Sequence, residues 1–117
     1  NTAIRGFREN GADEILVLDG HGFGGLDLIR LDESVFYQRG FPGSYPTGIS
    51  GEYDAIAWVG QHAKSGTPFA HMGHTSSLDV LDLRINGHPV GKFGMSVYIS
   101  AALGVKPLLA CGGAENL

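Results

Sequence analysis

The chain has 117 residues, 43% hydrophobic and 17% charged, with a formal net charge of −4. That length suits a single domain over residues 1–117, and the acidic balance, with no basic cluster, argues against nucleic acid, whose phosphates call for concentrated Lys and Arg. No apolar run reaches bilayer length, residues 1–10 (NTAIRGFREN) carry charges where a signal peptide needs an apolar core, and the single cysteine, Cys111, excludes an internal disulfide and fits a reducing, cytoplasmic setting.

Residues 2–10 place Ile4 and Phe7 on one helical face, and Asn10-Gly11 supplies the stop. A chain without an initiator Met whose first residues already read as helix is expected to be a fragment or a processed form. Residues 14–19 (EILVLD) form a short apolar run of the kind found in buried parallel strands. Residues 20–25 (GHGFGG) are a loop, 26–36 fit helix or strand equally, and 38–51, rich in Gly and Pro, are irregular. A second buried strand is expected at 54–59 (DAIAWV), then a loop carrying His62 over 60–68. Residues 69–77 are rich in His and small side chains and take no assignment.

Alternation over 80–86 predicts a half-exposed strand, and Asn86-Gly87 a hairpin turn returning through Pro89-Val90. Residues 94–103 predict an apolar helix stopped by Gly104, and 107–110 a third buried strand ahead of Gly112-Gly113. Buried strands alternating with helices indicate an α/β fold with a mainly parallel sheet flanked by helices and a β-hairpin insertion.

Three loops follow the three expected strands: GHG at 20–22, GQHA at 60–63 and CGG at 111–113. The carboxyl ends of parallel strands share one edge, where ligands bind. His21 and His62 hold matched places just past their strands, so two imidazoles are expected to meet there as donors for zinc or a similar ion. Asp19, two residues before His21, is a ligand or an outer partner that orients it. His71 and His74 (HMGH) add two more imidazoles, and His88 beside the hairpin is expected to face solvent.

A competing reading takes Gly20, Gly22 and Gly25 as a G-x-G-x-x-G dinucleotide fingerprint. It needs a following helix and an acidic residue about 20 positions on, where the chain reads GSYPTGISGE. No G-x-S-x-G marks a nucleophilic serine, and Cys111 reads as packing.

The runs LDGHG (18–22), GQHAKSGTPFAHMGHT (60–75) and RINGHPVGKFGMSVYISA (84–101) together resemble the M55 peptidases, a family of zinc D-aminopeptidases, over most of the chain. The resemblance implies an α/β protein that assembles into a ring-shaped homo-oligomer, binds one or two zinc ions and releases N-terminal D-amino acids such as D-alanine from short peptides. It implies that His21 and His62 are zinc ligands and that His74, rather than His71, is the catalytic histidine.

Two departures from the family pattern stand out. Its S-x-D-x-E-G segment, which supplies carboxylate ligands, lies upstream of the residues present. Its hairpin carries a glutamate ligand where this sequence has Lys92 (PVGKFG), so that the second zinc is lost, another carboxylate replaces the glutamate, or Lys92, as an outer partner of the site, stands in for the metal with its own charge. A non-catalytic domain for peptide binding or assembly is the alternative to an active enzyme.

Overall fold

The computed structural model describes residues 1–40 and 48–112, arranged as two compact units, residues 1–48 and 49–117.

The first unit opens with helix α1, Thr2–Glu9, which buries Ile4. The helix ends as Asn10-Gly11 predicts. Gly11 takes φ +90°, its N–H donates to Arg8 O, and Ala12 N–H reaches back to Phe7 O, so the last carbonyls are satisfied within the turn. The Arg8 guanidinium then ties the next segments together by donating to Ala12 O, Asp13 O and Ser34 O. Strand β1, Leu16–Asp19, pairs in parallel with β2, Phe36–Arg39, in the register Leu16↔Phe36 to Asp19↔Arg39.

Of residues 26–36, which fitted helix or strand equally, Phe36 opens β2 and 26–35 are neither. They form successive turns held by side chains. Asp27 accepts from Ile29 N–H, Asp32 from Ser34 N–H and Oγ–H, and Asn1 Oδ1 from Asp32 N–H. Short acidic side chains that bond the backbone two residues on stabilise turns at the expense of helix. Most of the irregular stretch expected at 38–51 is residues 41–47, which lie outside the described residues.

The second unit is built on strand β3, Ala55–Gln61, paired in parallel with β6, Lys106–Gly112. Between them lie the hairpin strands β4, Arg84–Ile85, and β5, His88–Pro89, and helix α2, Lys92–Ala102, which packs on β6 and β3. Asn86 and Gly87 both have positive φ, 51° and 81°. That conformation selects Asn-Gly in a two-residue hairpin. The strand expected over 80–86 shrinks to the Arg84–Ile85 pair. Helix α2 stops at Gly104, φ +79°, with Val105 N–H donating to Ser100 O.

The core of this unit is Trp58, Ala63, Val90 and Val105, with Ser96 and Ser100 of α2 also buried. Trp58 meets Phe93 edge-to-face with ring centres 5.1 Å apart. The strand at 107–110 is parallel as expected but not buried. Leu108 and Leu109 are 58% and 46% exposed, since β3 is the only strand that pairs with β6 among the described residues. Cys111, read from sequence as a packing residue, is exposed for the same reason.

The architecture is α/β with parallel strand pairs and an antiparallel hairpin, as the sequence predicts. No helix among the described residues is long and apolar enough to cross a membrane.

Candidate functional site

In the first unit the GHGFGG loop is organised by one carboxylate. Asp19, the last residue of β1, is only 3% exposed. Its Oδ1 accepts from His21 N–H at 3.2 Å and faces His21 Nδ1 at 3.0 Å. Its Oδ2 accepts from Gly25 N–H at 2.6 Å, Leu26 N–H at 3.1 Å and the Tyr37 hydroxyl at 3.2 Å. Burial by itself would raise the Asp19 pKa. The Gly25 amide, the His21 ring and the His21 and Leu26 amides outweigh it, and the carboxyl is held well below the ordinary carboxylate range. Burial, and next the Asp19 charge and hydrogen bond, raise the Tyr37 phenol.

A carboxylate at Oδ1 only accepts, which makes Nδ1 a protonated nitrogen of the His21 ring. Gly25 is required beneath that ring, because a Cβ there would lie 2.9 Å from His21 Nδ1.

This arrangement answers the dinucleotide alternative. The Gly25 and Leu26 amides, which a fingerprint loop would turn toward a phosphate at the start of a helix, are already bonded to Asp19, and turns follow instead of a helix.

Sequence reasoning missed Tyr37 and Arg39. The register Val17↔Tyr37 and Asp19↔Arg39 sets both on the Asp19 face of the parallel pair, and Arg39 donates to Phe23 O within the loop. The signal was the run Val35-Phe36-Tyr37, β-branched and aromatic, which marks a strand.

In the second unit the strand β3 delivers His62. A register shift falls between Val59 and Gln61, where Gly60 takes φ +72°. Such an irregularity at a strand end re-aims the residues that follow. The segment 63–75 then folds back on itself. His74 N–H donates to Ala63 O at 3.0 Å, and Ser65 N–H to the buried Thr75 Oγ1 at 3.1 Å. The Ser65 hydroxyl donates to Val80 O. These bonds explain why the HAKSGTPFAHMGHT run has its composition: small and hydroxylated residues close a loop whose two ends carry histidines.

The result is that the His62 and His74 rings lie side by side, centres 4.8 Å apart and tilted by 47°. His71, on the same loop, is exposed and makes no such contact, and His88 is exposed on the hairpin as expected.

His74 has both ring nitrogens engaged. Nδ1 lies 2.8 Å from Met72 O and Nε2 lies 2.7 Å from Lys92 Nζ. A carbonyl only accepts, so Nδ1 carries the proton and Nε2 is the acceptor. Lys92 is the first residue of α2, and Gly91 before it packs against Lys64 so closely that a Cβ would sit 2.7 Å from Lys64 Cβ. The helix N-terminus is a poor place for a cation, and burial lowers the Lys92 pKa. The His74 lone pair offsets part of that cost. Beside His74 lies a shallow hollow of about 390 Å³ lined by Met72, Gly73, His74, Ser76 and Leu78.

Among the described residues no group of three or more His, Cys, Asp and Glu side chains is placed to hold a metal ion. Taken singly, His21, with Asp19 on its Nδ1, has the donor arrangement usual in metal-ligating histidines, and His62 is an imidazole of the right type for zinc.

Comparison with known proteins agrees with the residues. The model of the M55 peptidases, described as D-aminopeptidase, matches residues 1–116. Among solved structures the chain is similar to the Zn-dependent D-aminopeptidase DppA from Bacillus subtilis, a self-compartmentalizing protease, with a TM-score of 0.87 and 26% sequence identity. The match covers 98% of this chain and 43% of that one, so the chain spans less than half the length of that relative. No curated protein matches. A family model that accounts for nearly every residue, including the histidine loops and the hairpin, establishes that this chain belongs to the M55 peptidase family.

Proposed function

We propose that the chain is the imidazole-bearing part of a zinc-dependent aminopeptidase that removes N-terminal D-amino acids from short peptides in the cytoplasm. The observation that carries this reading is the pair His62–His74, held side by side by the backbone bonds of the loop between them. In this reading His21 and His62 hold the metal, Asp19 orients His21, and His74 acts on the reacting groups. A zinc ion, when bound, polarises the scissile carbonyl and acidifies water. The chain's own contribution is positional. Asp19 fixes the His21 tautomer, and Met72 O fixes that of His74. The Met72–Leu78 hollow offers an apolar seat next to His74 for a small side chain such as that of alanine.

Release of D-alanine from a D-alanyl dipeptide, compared with the L-alanyl dipeptide, tests the activity. The D-peptide is expected to be cleaved faster, and His74→Ala to lower kcat about 10²-fold or more, the usual worth of a positioned acid or base. Equal rates on both peptides, or an unchanged rate in His74→Ala, would contradict the reading. The Zn-dependent D-aminopeptidase DppA is a self-compartmentalizing protease, and we extend that to a homo-oligomer here. Light scattering after size exclusion should give a mass several times that of one chain, and a monomer at micromolar concentration would count against it.

A further inference from the structure

We propose that Lys92 is a positioning residue that holds His74 as the neutral, Nδ1-protonated imidazole and occupies its Nε2, so that His74 takes no part in holding a metal. The geometry is direct. Nδ1 faces a carbonyl at 2.8 Å, which leaves Nε2 unprotonated, and Nε2 faces Lys92 Nζ at 2.7 Å. With the Nδ1 proton on Met72 O, Nε2 can only accept, so Lys92 Nζ–H is the donor in this contact. The Nε2 lone pair, the only donor atom left to the ring, is then hydrogen-bonded to an ammonium rather than a metal, and the proton shared between Nζ and Nε2 is the one that His74 can offer to the reacting groups. A cation on that atom also repels any dication brought near it.

Lys92 is fixed in this place from below. It begins α2, and Gly91 before it is wedged on Lys64, within the loop that carries both histidines. The Met72 carbonyl and Lys92 thus fix the His74 ring, whose centre lies 4.8 Å from that of His62. The hydrogen-bond claim stands on its own geometry. Its consequence for metal binding rests on the function proposed above.

Nitrogen-15 NMR of the histidine rings in the full chain, with Lys92→Met and Lys92→Arg variants, tests it. In the metal-free wild type, His74 should show a protonated Nδ1 and an Nε2 shielded by a strong donor. In Lys92→Met, Nε2 alone should move downfield toward a bare pyridine-type nitrogen, with Nδ1 unchanged on Met72 O. Lys92→Arg, which keeps a donor, should leave Nε2 shielded. On zinc addition the wild-type His74 Nε2 should stay in place, while that of Lys92→Met should move to a metal-bound position with a gain of about one equivalent of zinc.

A wild-type ring protonated on Nε2, or an Nε2 resonance identical in wild type and Lys92→Met, would overturn the proposal. So would a zinc-induced shift of His74 in the wild type. The wild-type tautomer is decisive even if Lys92→Met does not fold. If the metal-free shifts are as expected but neither chain takes up zinc, the positioning role is supported and the zinc reading is the one that fails.

Discussion

Asp19 shows how one side chain joins fold to chemistry. Its two oxygens receive three backbone amides, a phenol and an imidazole, and the donors come from the loop after β1 and from β2. Replacing it with asparagine keeps the shape but turns an amide group toward amide donors. Since hydrogen bonds to a charged group contribute about 1.5–3 kcal/mol each, Asp19→Asn should lose roughly 2–4 kcal/mol of stability in metal-free denaturant melts. If His21 ligates zinc, the same variant should also weaken zinc binding by about 10–100-fold, the usual effect of removing a histidine's carboxylate partner. A melt and a zinc isotherm that both match the wild type would remove Asp19 from the account. From sequence alone Asp19 read as ligand or orienting partner, and the number of amides converging on it was not legible. That depends on the tight fold of Gly20 to Leu26, which a chain of glycines does not specify by pattern.

Individual elements differ in how much the sequence disclosed. The hairpin was legible because Asn86-Gly87 is one of the few dipeptides that accept positive φ at both positions. Strands β1 and β3 were legible as short apolar runs, and α2 through its stop at Gly104. Strand β2 was not, because its polar Gln38 and Arg39 and the preceding acidic turns mask a four-residue element whose identity comes from pairing with β1. The burial of β6 was overread, since an apolar run reports what a strand can bury, not what covers it.

The loop from His62 to His74 carried its histidines in plain view, but their side-by-side rings depend on long-range bonds such as His74 N–H to Ala63 O. Glycine at 91 is part of that closure. Gly91→Ala pushes a Cβ to 2.7 Å from Lys64 Cβ, which a short side-chain root cannot evade. The variant should cost about 1–3 kcal/mol by overpacking and shift the His62 and His74 ring resonances. A melting curve and histidine spectrum identical to wild type would show that the loop does not lean on α2 there.

At the scale of the whole molecule, family and fold are settled by agreement between motif, family model and structure, while the activity of the complete relative is carried to this chain only as a proposal, because the chain covers 43% of that relative's length. The point on which the functional account turns is whether His21 and His62 hold a metal while His74 does not. Zinc content by elemental analysis, on protein purified without chelators, measures this most directly. The account predicts no more than about one tightly held zinc per chain, lost in His62→Ala and in His21→Ala and kept in His71→Ala. Two equivalents of zinc in the unmodified chain, or a content that His62→Ala leaves unchanged, would contradict it.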